Sequence, residues 1–377
     1  MVTRQEDHRQ RWCEVMAKKM EKTLNLVSLF SGGGGLDIGL GAAGFKTLFA
    51  NDVVPQCCAT LKKNLNRDAT VVCADIKNVT GADIRKALGR NDNDAVDLLA
   101  GGPPCQAFSI FGQRKGRADP RGKMVYEYFR ILSELRPKAF VFENVFGLLT
   151  VENGKVYKLV CERLARPCKD VAYDIKAFRL NAVDYGVPQF RDRVIIVGSR
   201  TGKNIKDIPP VTFATPQKGQ LRHRTVEDAL RDLPKPNGQF PSNHLGRDHG
   251  QDVVDRYAAM SPGERDVHTR INKLDLKRPS FTIICGSNCG GGKGHVHPIE
   301  PREVTPRESA RIQTFPDSWS FECKGRYAIS QVGNAVPTLL AFAIGNEIRA
   351  DIFGLEKIPF VTGLKRMEQT HLFPELF

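Results

Sequence analysis

Asn25-Leu26-Val27-Ser28-Leu29-Phe30-Ser31-Gly32-Gly33-Gly34-Gly35 is the stretch that decides the fold class. Its first six residues are mostly apolar without clean alternation, the pattern of a strand buried on both faces. Four glycines follow, which allow close backbone approach to a ligand, and a helical pattern then runs through Leu36, Ile38 and Leu40 up to Gly44. A strand, a glycine loop and a helix N-terminus in that order suit a nucleotide-like ligand. The loop alone is a weak signal, shared by many mononucleotide and dinucleotide sites. The chain contains no Gly-x-x-x-x-Gly-Lys-Ser/Thr segment, so a Walker-type phosphate grip is disfavoured.

The same alternation continues. A second strand at 46–50 ends in Asn51-Asp52, and Pro55 suits the first turn of a helix that reaches Asn64. A third strand at 70–74 ends in Asp75 and precedes a helix at 82–88. Strands at 96–100 and 139–142 flank a helix at 124–135. This order predicts an α/β fold, a parallel sheet covered by helices on both faces. Ligands of such sheets bind at the carboxyl ends of the strands. There the chain places Gly101-Gly102-Pro103-Pro104-Cys105-Gln106, a cysteine held by a rigid turn, and Glu143-Asn144 after the next strand. An acid at the tip of the second strand, Asp52, suits ribose hydroxyls, although Asp52 or Asp75 taken singly reads first as a helix cap. Glu143 is placed to share one crevice with Cys105. In extended chain Gln189, Arg191 and Arg193 share a side, and two arginines on one face bind phosphate or a carbonyl oxygen.

Lys and Arg number 56 against 42 Asp and Glu, a net charge of +14. That balance points to a polyanion, nucleic acid first. Ten cysteines without a disulfide-like framework, and an N-terminus without a signal peptide's apolar core, place the protein in the reducing cytoplasm. No apolar run approaches the ~18 residues of a membrane span. Trp12, Val15, Met16 and Met20 fall at the spacing of a short packed helix. After Gly198 the chain turns polar and rich in Pro, His and Arg, and apolar content returns at 281–285 and in a final helix at 335–344. Two domains are expected: residues 1–200, completed by 331–377, and a smaller irregular domain with a hinge at 201–330.

Six blocks in order resemble the DNA (cytosine-5) methyltransferases of the prokaryotic restriction-modification type, over about residues 26–345. They are F-S-G-G-G-G at 30–35, G-P-P-C-Q at 102–106, E-N-V at 143–145, Q-F-R-D-R at 189–193, R-E-S-A-R-I-Q-T-F-P at 307–316 and Q-V-G-N-A-V-P at 331–337. The resemblance implies a Rossmann-like S-adenosylmethionine-dependent methyltransferase sheet with an irregular target-recognition domain. The cofactor is then S-adenosyl-L-methionine, with S-adenosyl-L-homocysteine as product. Phe30, Gly32, Gly33, Gly34 and Gly35 would lie near its methionine and adenosine parts, with Asp52 on the ribose. Asp75 and Ile76 would meet the adenine, and Pro104, Asn334 and Val336 would complete the pocket. Val53 stands where the family often has a larger side chain packed on the adenine.

The resemblance further implies that a target cytosine is flipped out of double-stranded DNA. Cys105 would attack C6, Glu143 would hydrogen-bond the N3 edge, and Arg191 would hold the O2 side, with Arg193 also in the catalytic set. Covalent attack is needed because C5 is a poor nucleophile until C6 is saturated. Gln106, Ser109, Arg121, Gln189, Thr282 and His297 are the residues expected at DNA. The family implies a monomer with a separate cognate restriction endonuclease. A transfer-RNA methyltransferase on the same scaffold is a rival, but its Cys-Phe-Thr signature is missing here. A DNA-binding repressor without catalysis is the other, opposed by intact Cys105, Glu143 and Arg191. Cys285, Cys289, His295 and His297 fit no common zinc spacing, and no metal is expected. Arg307, Glu308 and Arg311 are expected to form an ion-pair network between domains.

Overall fold

The computed structural model describes residues 23–89, 96–104, 123–238, 241–283, 294–323 and 325–360. Cys105, Gln106, Ser109 and Arg121 lie outside the described residues, as do Cys285, Cys289 and the helix expected near Trp12. Seven strands, β1 (Leu24–Leu29), β2 (Phe45–Asp52), β3 (Thr70–Cys73), β4 (Leu98–Gly101), β5 (Ala139–Val145), β6 (Asp174–Asn181) and β7 (Asp192–Ser199), form one sheet in the order β3-β2-β1-β4-β5-β7-β6. The pairs from β3 across to β5 are parallel. β7 departs from the all-parallel expectation and runs antiparallel to both neighbours. The cause is the short link from β6. A parallel return needs a crossover of about a dozen residues or more, whereas Asn181 already faces Asp192 across the ladder. The Asn181 side chain accepts N–H groups from Val183 and Arg191 and closes that turn.

β1 is buried along its whole length, so its residues feed two cores. Leu24 and Leu26 pack with Ile38, Leu40, Leu340 and Phe342 on one face. Val27 and Leu29 pack with Leu99, Tyr128, Phe140 and Phe142 on the other. This is the period of two expected of a strand in the middle of a layered fold. The strand order reverses between β1 and β4, and the loops after these two strands open the crevice where ligands bind.

Helix α1 (Gly35–Ala42) starts directly from the glycine loop. α2 (Pro55–Asn64), α3 (Gly81–Ala87), α4 (Lys123–Leu135) and α5 (Lys155–Ala165) follow. The chain between 201 and 330 holds a two-stranded ladder, β8 (Thr212–Phe213) with β9 (Leu221–Arg222), and short helices α6 (Val226–Leu230), α7 (Gln251–Ala259) and α8 (Pro306–Ile312). α9 (Arg326–Asn334) and α10 (Thr338–Asp351) then bring the chain back against α1. The run Tyr327–Asp351 is long and apolar enough to cross a membrane, but 83% of its 18-residue apolar stretch is buried inside the protein, as in a core helix.

The polar composition after Gly198 does not coincide with a break in packing. Ile205, Ile208, Val226, Ala229, Phe315 and Trp319 join the same core as β1 and α10. A separate small core consists of Tyr257, Met260, Ile271 and Val296. The expected network of Arg307, Glu308 and Arg311 is present in part, since Arg307 and Arg311 share Asp317 at 3.8 and 2.5 Å. Arg307 is fully buried and donates to the carbonyls of Ser242, Pro316 and Trp319. Glu308 takes both ends of Arg302 at 2.9 and 2.8 Å, while Arg311 pairs with Asp317 and Asp232.

At three of the four loop glycines a side chain would meet the protein itself. A Cβ on Gly33 would meet the Gln331 carbonyl oxygen at 3.0 Å, one on Gly34 would enter the Trp319 ring, and one on Gly35 would overlap the Val336 carbonyl. Gly34 also has φ 86°, in the left-handed region. Below the loop, Asp37 is buried and accepts from Ser28 Oγ at 3.1 Å and Thr47 Oγ1 at 3.0 Å.

Two outcomes follow for stability. Gly35→Ala should destabilise the protein by roughly 1–3 kcal/mol through overpacking, read as a fall of several degrees in Tm; an unchanged Tm would refute the packing role. Burial raises the Asp37 carboxyl from 3.8 to about 6, against hydrogen bonds that lower it. With the folded value above the unfolded one, its contribution is fully present below about pH 4 and is lost as pH rises through about 6. Wild type should therefore gain stability relative to Asp37→Asn as pH falls across that window, measured by urea unfolding. A pH-independent difference would contradict it.

Candidate active site

The glycine loop turns at Phe30, whose φ of 53° puts a non-glycine residue in the left-handed region, and again at Gly32 with φ 54°. Gly32 is the loop glycine with open space where a side chain would stand: its nearest neighbour is the Phe30 carbonyl oxygen at 4.0 Å. Asp52 reaches this loop from the tip of β2. One carboxylate oxygen accepts from Gly32 N–H and the other from Val54 N–H, both at 2.8 Å. Burial pushes its carboxyl above the ordinary range, while these backbone donors pull it down. Asp52 thus shapes the loop as well as presenting a carboxylate at its edge. Val53 and Val54 stand beside it, 62% and 42% exposed, an apolar ledge next to an acid. That combination fits an adenosine moiety: apolar contact for the base, a carboxylate for the ribose.

The other expected pocket residues divide. Asp75 accepts from Lys77 N–H at 3.0 Å and caps the short turn Ile76–Asn78. Ile76 is 2% exposed and belongs to the core under β1, and its carbonyl takes a hydrogen bond from Arg130. What Ile76 offers a ligand is therefore little beyond backbone. Pro104 and Asn334 are exposed, at the end of the Pro-Pro turn and of α9. Val336 is buried and its carbonyl sits on Gly35.

The side where Glu143 stands is built on β4 and β5. Asn144 Nδ2 donates to the Pro103 carbonyl at 3.1 Å and clasps the Gly102-Pro103-Pro104 turn onto β5. A Cβ on Gly102 would lie 2.5 Å from Glu143 Oε2, so only glycine lets that carboxylate lie against the turn leading to Cys105. Neither Asn144 nor Gly102 stood out in the sequence as more than a neighbour of Glu143 or Cys105. The block motifs carried the only signal.

The two arginines have different destinations, which corrects the expectation for Arg191. Arg191 is 1% exposed and donates to the carbonyls of Gly333 and Ala335 at 2.5 and 3.0 Å. It is a buried tie between β7 and the chain after α9. Arg193 instead lies with its Nε 2.8 Å from Glu143 Oε1, the two side chains 11% and 12% exposed. The Nε–H is not aligned on that oxygen, so the contact is an ion pair rather than a directed hydrogen bond. Gln189 is fully buried and its Oε1 accepts from Ile283 N–H at 3.2 Å, which anchors the segment at 280–283. Thr282 is exposed there, with its hydroxyl on the Phe190 carbonyl. His297, expected at DNA, is buried: its Nδ1 accepts from Ile299 and Glu300 N–H, and its Nε2 lies 3.7 Å from Glu308. Its ring closes a turn of the protein and is not free for a base. Among the described residues no group of three or more His, Cys, Asp or Glu is placed to hold a metal.

Comparison with known proteins agrees with this geometry. A family match to the C-5 cytosine-specific DNA methylases spans residues 24–350. The type II methyltransferase M.XorII of Xanthomonas oryzae pv. oryzae is 34% identical, over 85% of this chain and 84% of its own length. M.PspPI of a Psychrobacter species is 36% identical, over 89% and 82%. A solved structure from E. coli, a prophage-encoded protein assigned as a DNA modification methyltransferase, superposes with a TM-score of 0.69 at 26% identity, covering 91% of this chain and 99% of that one. The Dnmt2 methyltransferase of S. pombe shares the fold at 17% identity, with a TM-score of 0.54. With a sheet, a glycine loop and an acid-tipped β2 of this kind, the chain belongs to the C-5 cytosine-specific DNA methylase family: it is a DNA (cytosine-5) methyltransferase of the type II restriction-modification kind, which takes its methyl group from S-adenosylmethionine.

Proposed function

We propose that the enzyme acts on a cytosine rotated out of duplex DNA, through a covalent bond between Cys105 and C6. The observation that carries this reading is the Glu143–Arg193 pair, packed against the glycine turn that runs directly into Cys105. Thiolate attack at C6 saturates the ring, and the charge that develops must be met at N3 and O2. Glu143 is assigned the N3 edge. Arg193, rather than the buried Arg191, is assigned O2, because it is the guanidinium that reaches the site. Once C5 carries the methyl group, loss of its proton expels the Cys105 thiolate and restores the C5–C6 double bond.

S-Adenosylmethionine supplies an electrophilic methyl group when bound. Gly32, Asp52 and Val53 are the residues we assign to holding it, with Phe30, Pro104 and Asn334 at the margins. Residues 201–330 are assigned to base readout, with Thr282 and Gln189 positioning the target strand: Thr282 by contact, Gln189 by anchoring 280–283. We further propose that the protein works in the cytoplasm as a monomer and protects DNA from a separate cognate endonuclease.

Plasmid DNA methylated by the protein and read by bisulfite sequencing should show 5-methylcytosine in one short context. Cys105→Ser should abolish that methylation yet keep cofactor and DNA binding. DNA bearing 5-fluorocytosine at the mapped site should trap an adduct at Cys105. Turnover by the serine variant, or an adduct at another cysteine, would sink the mechanism.

Asp52→Ala should raise KM for S-adenosylmethionine by more than it lowers kcat, since ground-state binding is removed. Asp52→Asn, which keeps one acceptor for a backbone N–H, should lie between the two. Steady-state kinetics decide it, and an unchanged KM in both variants would make Asp52 a loop tie only.

A further inference from the structure

Two phenyl rings stand in water beside the site, and no step proposed above uses them. Phe190 is 46% exposed and Phe281 41%. Their backbones are cross-linked. Gln189 and Ser280 form a parallel bridge, Phe190 N–H donates to Ser280 O at 2.9 Å, and Ser280 N–H to Pro188 O at 2.8 Å. Thr282 Oγ1 adds a bond to Phe190 O at 2.7 Å. With Gln189 level with Ser280, Phe190 stands level with Phe281. Gln189, Arg191 and Ser280 are each 1% exposed or less, so the intervening Phe190 and the adjoining Phe281 turn to the opposite, outer side. Beneath Phe281 lies the ring of His295, 6.1 Å away between centroids and 1% exposed. Burial lowers its pKa to about 4, so it supports Phe281 as a neutral ring.

Large apolar rings held in water are unfavourable unless something covers them. The surroundings point to the occupant. Arg193, the partner of Glu143, follows Phe190 by three residues, about 10 Å of extended chain. Lys277 and Arg278, both exposed, lead into Phe281 and suit phosphates. A base that leaves a duplex strips its neighbours of a stacking partner, and aromatic side chains replace such stacking with any base. We propose that Phe190 and Phe281 form a stacking platform for a DNA base left without its neighbour when the target cytosine rotates out. This rests on the function proposed for the Glu143–Arg193 site.

The test uses the full chain and a duplex containing the site mapped by bisulfite sequencing, with 2-aminopurine beside the target cytosine. Phe190→Ala with Phe281→Ala should raise KM for DNA about 10-fold and leave KM for S-adenosylmethionine unchanged. Emission of 2-aminopurine in the variant complex should exceed that in the wild-type complex, because the base loses its aromatic cover. Phe190→Trp should restore a low KM. If the alanine variant does not fold, Phe190→Leu with Phe281→Leu keeps the apolar bulk, removes the flat face and should raise KM in the same direction. Unchanged KM and emission in a variant that still binds cofactor would overturn the platform, as would a variant that alters only self-association by sedimentation. Failure of the wild-type protein to methylate the mapped duplex would instead remove the functional reading, and the platform with it.

Discussion

Backbone-to-backbone packing between the glycine segment after β1 and the chain at 331–345 is the contact on which the site depends. Gly35 lies on the Val336 carbonyl, Gly39 on that of Thr338, and Gly345 against Ala43 and Leu40. Any side chain at these positions would hold the two segments apart. Their closeness lets dispersion act at full strength and draws the last helix onto the first. The same segment then offers the carbonyls of Gly333 and Ala335 to Arg191. Because Arg191 is anchored, the start of β7 is anchored, and Arg193 two residues later arrives at Glu143. The glycine loop and the Glu143–Arg193 pair thus share one support.

Buried guanidinium groups carry this linkage further. Arg307 holds Ser242, Pro316 and Trp319 through carbonyls, and burial lowers its pKa to about 10, still cationic at neutral pH. Trp319 in turn closes over Gly34. A charge in such a place is tolerated because each donor meets an oxygen, and removing one partner of a buried charge costs about 3–5 kcal/mol. The irregular chain between 201 and 330 is therefore tied mechanically to the glycine loop, although the separate core it holds among the described residues is small.

Much of the site was legible in one dimension because its chemistry is local. Asp52, Glu143 and the Pro-Pro turn each follow a strand's apolar run within a few residues, so they could be placed at one sheet edge before any contact was known. Tertiary contacts decided what the pattern left open. The glycine run read as room for a ligand, and at 33–35 the space a side chain would need is also taken, by Gln331, Trp319 and Val336. His297 read as a DNA contact, yet two backbone N–H groups occupy it. Composition turns polar after 198, yet Ile205, Ile208, Val226 and Ala229 join the core of β1, since loops dominate composition while a few apolar residues decide packing.

By itself the sequence determined the α/β class and the order of the strands along the chain, because each follows from neighbours in the chain. Only the tertiary structure decided that β7 runs antiparallel and that Arg193, not Arg191, faces Glu143. The two arginines are alike in type and spacing, and what separates them is a pair of carbonyls more than 140 residues away that claims the first and leaves the second for the site.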